Sequence, residues 1–263
     1  MLVTLLGTGS ADGLPNPWCR CPTCADARES GLVRCNTSVL VDGRLLLDCG
    51  PETPRQAGRF GHDLTEVEAV AIGHAHHDHL DPSFLLYRSW VDGRPLQVIG
   101  PPAVIDHCGQ WLDPADTSVT LREVAAGEQV NVAGYSLTAL EAQHHAFGKA
   151  VLYLVDDGSS RLLYATDTGP FPPRTLAALR GTRLDAALLE ETFGTKTDGG
   201  EIHLHLETFG RLVDQLRAIE AVTPTTQVVA IHLSHHNPPL ADLQEALAEF
   251  GALAHPDGTQ LRV

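Results

Sequence analysis

Lysine is almost missing from this chain. Only Lys149 and Lys196 occur in 263 residues, and the other basic residues are all arginine. No Lys/Arg-rich run exists, and the formal net charge is −15. A surface of that sign repels phosphate backbones, which argues against generic nucleic-acid binding. Apolar runs are short, so no transmembrane helix and no membrane partner are expected. Met1 to Gly7 has no basic stretch ahead of a long apolar core. It reads as a first strand and not as an export signal, so a cytoplasmic location is expected. The G-x-G-x-x-G and G-x-x-x-x-G-K patterns of nucleotide sites are absent. Gly7-Thr8-Gly9-Ser10 therefore reads equally as a tight turn or as a turn whose amides approach a phosphate. No linker, low-complexity segment or repeat interrupts the chain. One α/β domain spanning residues 1–263 is the simplest organisation.

Six cysteines are present. Without an export signal a disulfide framework is not expected, and metal binding is the better reading of a cluster. Cys19-Arg20-Cys21-Pro22-Thr23-Cys24 packs three thiols close enough to share one ion. A structural zinc needs four ligands, so a fourth must come from elsewhere. Cys35, Cys49 and Cys108 read as small buried apolar residues.

The rest of the pattern alternates strand and helix. Residues 2–6 form a strand, and 11–34 read as a long loop. Runs 37–41 and 44–48 around Asp42-Gly43 predict a hairpin. A helix follows from 51 to 60 and a buried strand from 67 to 72. Asp81-Pro82 opens a helix of about ten residues, as an N-cap followed by proline at the first position. Strand 96–99 and helix 102–112 come next. From 119 to 140 the pattern is β, broken by Gly127 and Gly134. A second hairpin spans 150–155 and 161–166. A helix around 175–180 and a strand at 184–189 precede an amphipathic helix spaced by Phe209, Leu212, Leu216 and Ile219. Strand 228–231, a helix at 240–250 and a short last strand close the chain.

One run organises the chemistry: Gly73-His74-Ala75-His76-His77-Asp78-His79. It follows an apolar strand, where ligands of α/β proteins tend to sit. His74 and His76 share one side of an extended chain and can hold one ion. Asp78 and His79 come next, in a turn, and can be aimed at a second. Imidazole suits zinc, iron or nickel, and carboxylate admits manganese. Further candidates recur at strand ends: His144 or its neighbour His145, then Asp167, then His232. A sheet gathers its strand ends at one edge.

His74-x-His76-x-Asp78-His79 resembles the signature of the metallo-β-lactamase superfamily of hydrolases. The resemblance implies an αββα four-layer sandwich and two divalent ions, Zn²⁺ or Mn²⁺. It assigns His74, His76 and His144 to the first ion and Asp78, His79 and His232 to the second. Asp167 would bridge them. His144 is favoured over His145 as the third ligand. The cysteine cluster is similar to that of the phosphonate-pathway (PhnP-type) cyclic phosphodiesterases, in which a histidine three residues beyond the last site histidine completes a structural zinc. Cys19, Cys21, Cys24 and His235 match. The same resemblance points to His203, or His205, as general acid or charge stabiliser. His62, His107 and His255 carry no expected role.

The implied activity is hydrolysis of a small phosphodiester, cyclic phosphates included, by a hydroxide bridging the two ions, with Asp78 essential. Rival readings are a tRNA-processing nuclease, a lactonase or thioesterase, and a non-hydrolytic protein like that of pyrroloquinoline-quinone biosynthesis. The nuclease normally needs a basic arm, and no such insertion is seen. A small phosphodiester is the expected partner, and a homodimer is left open.

Overall fold

The computed structural model describes residues 1–91, 93–113, 117–145, 147–198 and 201–263. The elements follow in chain order: Leu2–Gly7 (β1), Pro22–Ser30 (α1), Ser38–Val41 (β2), Leu45–Leu47 (β3), Thr53–Arg59 (α2) and Ala69–Ala71 (β4). Then come Ser83–Ser89 (α3), Leu96–Gly100 (β5), Pro102–Gly109 (α4), Val119–Glu123 (β6), Gln129–Val132 (β7) and Tyr135–Glu141 (β8). Val151–Asp156 (β9), Arg161–Ala165 (β10), Pro173–Leu179 (α5), Ala186–Glu190 (β11) and Leu206–Ala218 (α6) lead to Gln227–Ile231 (β12), Leu240–Ala248 (α7), Ala252–Leu253 (β13) and Gln260–Arg262 (β14).

The strands form two seven-stranded sheets. Their orders are β14-β1-β2-β3-β4-β5-β6 and β13-β12-β11-β10-β9-β8-β7. Alternation decides which face each residue serves. Leu45 and Leu47 point between the sheets, while Leu46 points outward to a helical layer. Leu137, Tyr153 and Leu188 meet them from the second sheet. Leu85 of α3 and Val104 of α4 cover the outer face of the first sheet. Phe209 and Leu212 of α6, with Leu243 of α7, cover that of the second. The result is the αββα sandwich.

Sheet direction brings the chemistry to one edge. β3, β4, β5 and β6 run parallel, as do β10, β11, β12 and β13. β8 lies antiparallel to β9, and β9 to β10, so β8 points the same way as β10. The ends of β3, β4, β8, β10, β11 and β12 therefore open at one rim. The Asp42-Gly43 hairpin is present, both residues having positive φ, 48° and 72°, as a tight primed turn requires.

Two expectations need correction. The 11–34 segment is not all loop, because residues 22–30 are helical, with Pro22 in the first turn and Gly31 ending the helix at φ 72°. These are ordinary start and stop signals. The helix after Asp81 has seven residues and starts one residue later than expected; Asp81 Oδ1 instead accepts the Ser83 amide at 3.0 Å. Among the described residues no helix is long and apolar enough to cross a membrane.

Leu188 is fully buried between the sheets. Leu188→Ala should lower stability by about 2–5 kcal/mol. Thermal or denaturant unfolding checks this, and an unchanged midpoint would contradict the packing described.

Candidate metal centre

Two donor clusters meet at Asp167. In the first, His74 Nε2 lies 2.8 Å from His76 Nδ1, and His144 Nε2 lies 3.2 Å from the same atom. Asp167 Oδ2 is 3.1, 3.8 and 3.7 Å from these nitrogens of His74, His76 and His144. In the second cluster, Asp78 Oδ2 sits 3.0 Å from His79 Nε2 and 3.2 Å from His232 Nε2. Asp167 reaches His79 at 3.4 Å and His232 at 2.9 Å. A tetrahedral ion with bonds near 2.05 Å has ligand-to-ligand edges of about 3.3 Å. The observed spacings bracket that edge.

The donors converge on points in space more than they bond to one another. His79 Nε2 and Asp167 Oδ1 are buried and make no properly oriented hydrogen bond, close neighbours notwithstanding. Buried polar atoms left in this state are costly unless something else satisfies them. The residues fit divalent cations.

On three of the rings the other nitrogen is occupied, which fixes the orientation of those rings. His79 Nδ1 donates to Asp48 Oδ2 at 2.7 Å, and Tyr164 donates its hydroxyl to the same oxygen at 2.8 Å. His144 Nδ1 donates to the Ile202 carbonyl at 3.2 Å. His232 Nδ1 pairs with Thr192 Oγ1 at 2.9 Å. Each leaves its Nε2 free to face the cluster, as metal-binding imidazoles usually do. Asp48, Asp167 and His232 all adopt left-handed backbone, at φ 59°, 52° and 59°. Such conformations cost about 1–3 kcal/mol each and concentrate at functional sites. Gly50 packs against the Asp78 turn so closely that a Cβ would lie 2.0 Å from the Asp78 carbonyl oxygen.

His203 stands at the edge of the second cluster, its ring stacked on His232 with centroids 5.8 Å apart. Its Nδ1 lies 2.9 Å from Glu190 Oε2. His205 does not join it. It is buried at the start of α6, where its backbone amide donates to Thr208 Oγ1 at 2.9 Å. His145 is exposed, whereas His144 is 2% exposed.

The three thiols of Cys19, Cys21 and Cys24 come together within 4.8 Å of one another. The Cys21 thiol lies 3.6 Å from the His235 carbonyl oxygen, and His235 Nδ1 is 2.5 Å from Asp12 Oδ2. The His235 ring nitrogens are not part of that tight group. This loop leans on the segment after β12, since Ser10 N donates to Leu233 O at 3.2 Å and Thr23 Oγ1 donates to Asn237 O.

The sequence model of the beta-lactamase superfamily domain matches residues 43–233. The chain belongs to that superfamily. Its fold is shared with a solved diphosphatase of the PhnP family, at TM-score 0.77 and 22% identity over 100% of this chain and 97% of that one. Zn²⁺-bound PqqB from Methylobacterium extorquens superposes at TM-score 0.78, with 22% identity and 100% of both chains covered. A ribonuclease Z from Methanopyrus kandleri is 35% identical over 105 residues, 38% of this chain and 36% of its own length. Against two of its curated relatives the chain spans only 36% and 47% of their length.

Membership in that superfamily accords with a His/Asp rim whose donors could hold divalent ions. Within this superfamily fold the sequence reading missed Asp48, Glu190 and Asp12. Asp48 and Glu190 carry the signal that marked Asp167, an acid at the end of an apolar strand at the same rim. Asp12 carries none, because only the fold brings it to His235.

Electrostatics follow from these contacts. Burial alone would lower His232, but Asp167 and Asp78 outweigh it and hold it up to about 10. Burial likewise opposes His79, which Asp78, Asp167 and Asp48 raise well above its usual value. Burial lowers His144 to about 4. At neutral pH the metal-free second cluster thus carries protons that a cation must displace. Divalent-ion binding should release at least one proton at pH 7 and tighten as pH rises towards 10. Calorimetry in buffers of different ionisation enthalpy reads this directly. Identical apparent enthalpies in all buffers would show that no proton leaves.

Proposed function

We propose that the chain hydrolyses a small phosphodiester, cyclic phosphates included, at a dinuclear centre of Zn²⁺ or Mn²⁺. The observation that carries the reading is the pair of donor clusters sharing Asp167, with His203 held beside them. His74, His76 and His144 would hold one ion, Asp78, His79 and His232 the other, and Asp167 both. Such ions supply Lewis acidity for phosphoryl oxygens and a water of lowered pKa. His203 supplies the proton. Burial disfavours its charged form, but Glu190 outweighs that and raises it, so it is prepared to donate to a leaving alkoxide. Glu190 also fixes the ring through Nδ1, which leaves Nε2 as the nitrogen that can donate. A cleft of about 550 Å³, lined by His76, Asp78, His107 and Phe147, opens over the donors. It suits a small substrate.

The same reading assigns a structural zinc to Cys19, Cys21, Cys24 and His235. Asp12 would orient His235 through Nδ1, the usual outer partner of a metal-binding imidazole. Such an ion would pin the loop against the segment that carries His232. All six cysteines are free thiols, which fits a reducing compartment such as the cytoplasm.

The ribonuclease Z relative supports a second reading, RNA cleavage at the same centre. The net charge of −15 works against it.

The deciding assay is hydrolysis of bis(p-nitrophenyl) phosphate by metal-stripped protein reloaded with Mn²⁺ or Zn²⁺. Asp78→Ala should lower kcat/KM by about 10³-fold or more. His203→Ala should cost about 10²–10⁴-fold on a 2′,3′-cyclic nucleotide, whose alkoxide needs a proton, and much less on the p-nitrophenyl ester. Absence of turnover with two ions bound would sink the reading. For the second site, Cys21→Ser should remove one zinc equivalent by elemental analysis and lower the unfolding midpoint. Unchanged zinc content would exclude it.

A further inference from the structure

Two cavities meet at Phe147. One is the cleft over the donors. The other, about 630 Å³, lies beyond Phe147 against the start of α4, the end of β8 and α5. It is far larger than a phosphoryl group needs and falls in the ordinary range for small-molecule sites. Much of its wall is apolar, including Pro101, Val124, Leu140 and Ala178.

Phe147 is arranged as the partition between them. Its backbone is left-handed at φ 58°, an unfavourable conformation for a bulky residue. The residue is 63% exposed, and its ring meets those of His76 and His107 edge to face, with centroids 5.4 and 6.3 Å away. A ring face is thus offered beside a metal-ligand candidate.

The charges are also specific. Lys149, one of only two lysines, and Arg174 both line this second groove. Among the described residues neither forms an ion pair. Asp106, Glu141 and His145 line it too, so the groove is close to neutral on a chain of charge −15. It is a place where an anion is tolerated.

We propose that this groove is a second substrate subsite. It takes the larger ester substituent of the phosphodiester, a ring-bearing group that carries a further anionic charge. The ring packs past Phe147 onto the apolar wall, and the extra anion meets Lys149 and Arg174. The assignment rests on the phosphodiesterase reading.

Two p-nitrophenyl diesters test it on the metal-loaded protein: methyl p-nitrophenyl phosphate, whose methyl group is too small to reach the groove, and thymidine 3′-phosphate 5′-(p-nitrophenyl phosphate). The paired Lys149→Glu and Arg174→Glu variant should raise KM at least tenfold for the second ester. For the first, kcat/KM should stay within twofold. Ala178→Trp, which fills the groove without altering charge, should do the same. Equal losses on both esters, or none on either, would overturn the subsite. If the unaltered protein turns over neither ester, the phosphodiesterase reading fails instead. The groove is then judged by calorimetric binding of thymidine 3′,5′-bisphosphate. A tenfold weaker affinity in the charge-reversed variant supports it, and equal affinity or no binding to either protein overturns it.

Discussion

The structure depends on one buried carboxylate. Asp167 is 2% exposed, and five imidazoles approach it within 4 Å: His74, His76, His79, His144 and His232. A carboxylate in that position is unfavourable unless positive charge compensates it. Without metal, protons on His79 and His232 do so. With metal, cations would. The left-handed backbone at Asp167 turns the chain out of β10 so that the side chain reaches both clusters. The six strand ends at the rim then become a requirement: no single loop could supply so many donors around one carboxylate.

The second tier of contacts is as constrained as the first. Asp48 is fully buried, and its two oxygens bind the Gly73 amide, the His79 ring and the Tyr164 hydroxyl. It therefore couples the end of β3 to the start of the histidine run, and the first sheet to the second. Gly169 lies so close to the Glu201 carbonyl that a Cβ would sit 2.1 Å from it. That approach presses the segment carrying His203 onto the segment carrying Asp167. Packing and chemistry are set by the same residues here, so a change that loosens the sheets also moves the donors.

How legible this was depends on distance along the chain. The histidine run declares itself because its donors fall within six residues and need only local geometry. The strand pattern is legible because buried parallel strands read as apolar runs. His144 against His145, and His203 against His205, could not be separated by spacing. Burial separates the first pair, and the cap of α6 accounts for His205. Asp12 beside His235 joins residues 223 positions apart, a relation that no local pattern encodes. Helix α1 was hidden for another reason. Three cysteines in six residues give that segment the pattern of a metal loop, although Pro22 and Gly31 mark a helix.

Charge shapes what such a rim can serve. The chain attracts divalent cations and repels anions, and repulsion grows with each charge a ligand brings within about 8 Å of the surface at physiological salt. A polymer lays many phosphates there at once, whereas a diester brings one. Association of the polymer is therefore slowed far more, unless a basic arm draws it in. A small ligand with one or two negative charges needs only a local neutral patch next to the cations. Lys149 and Arg174 beside Phe147 make such a patch, because they offset the carboxylates of Asp106 and Glu141 on the same wall.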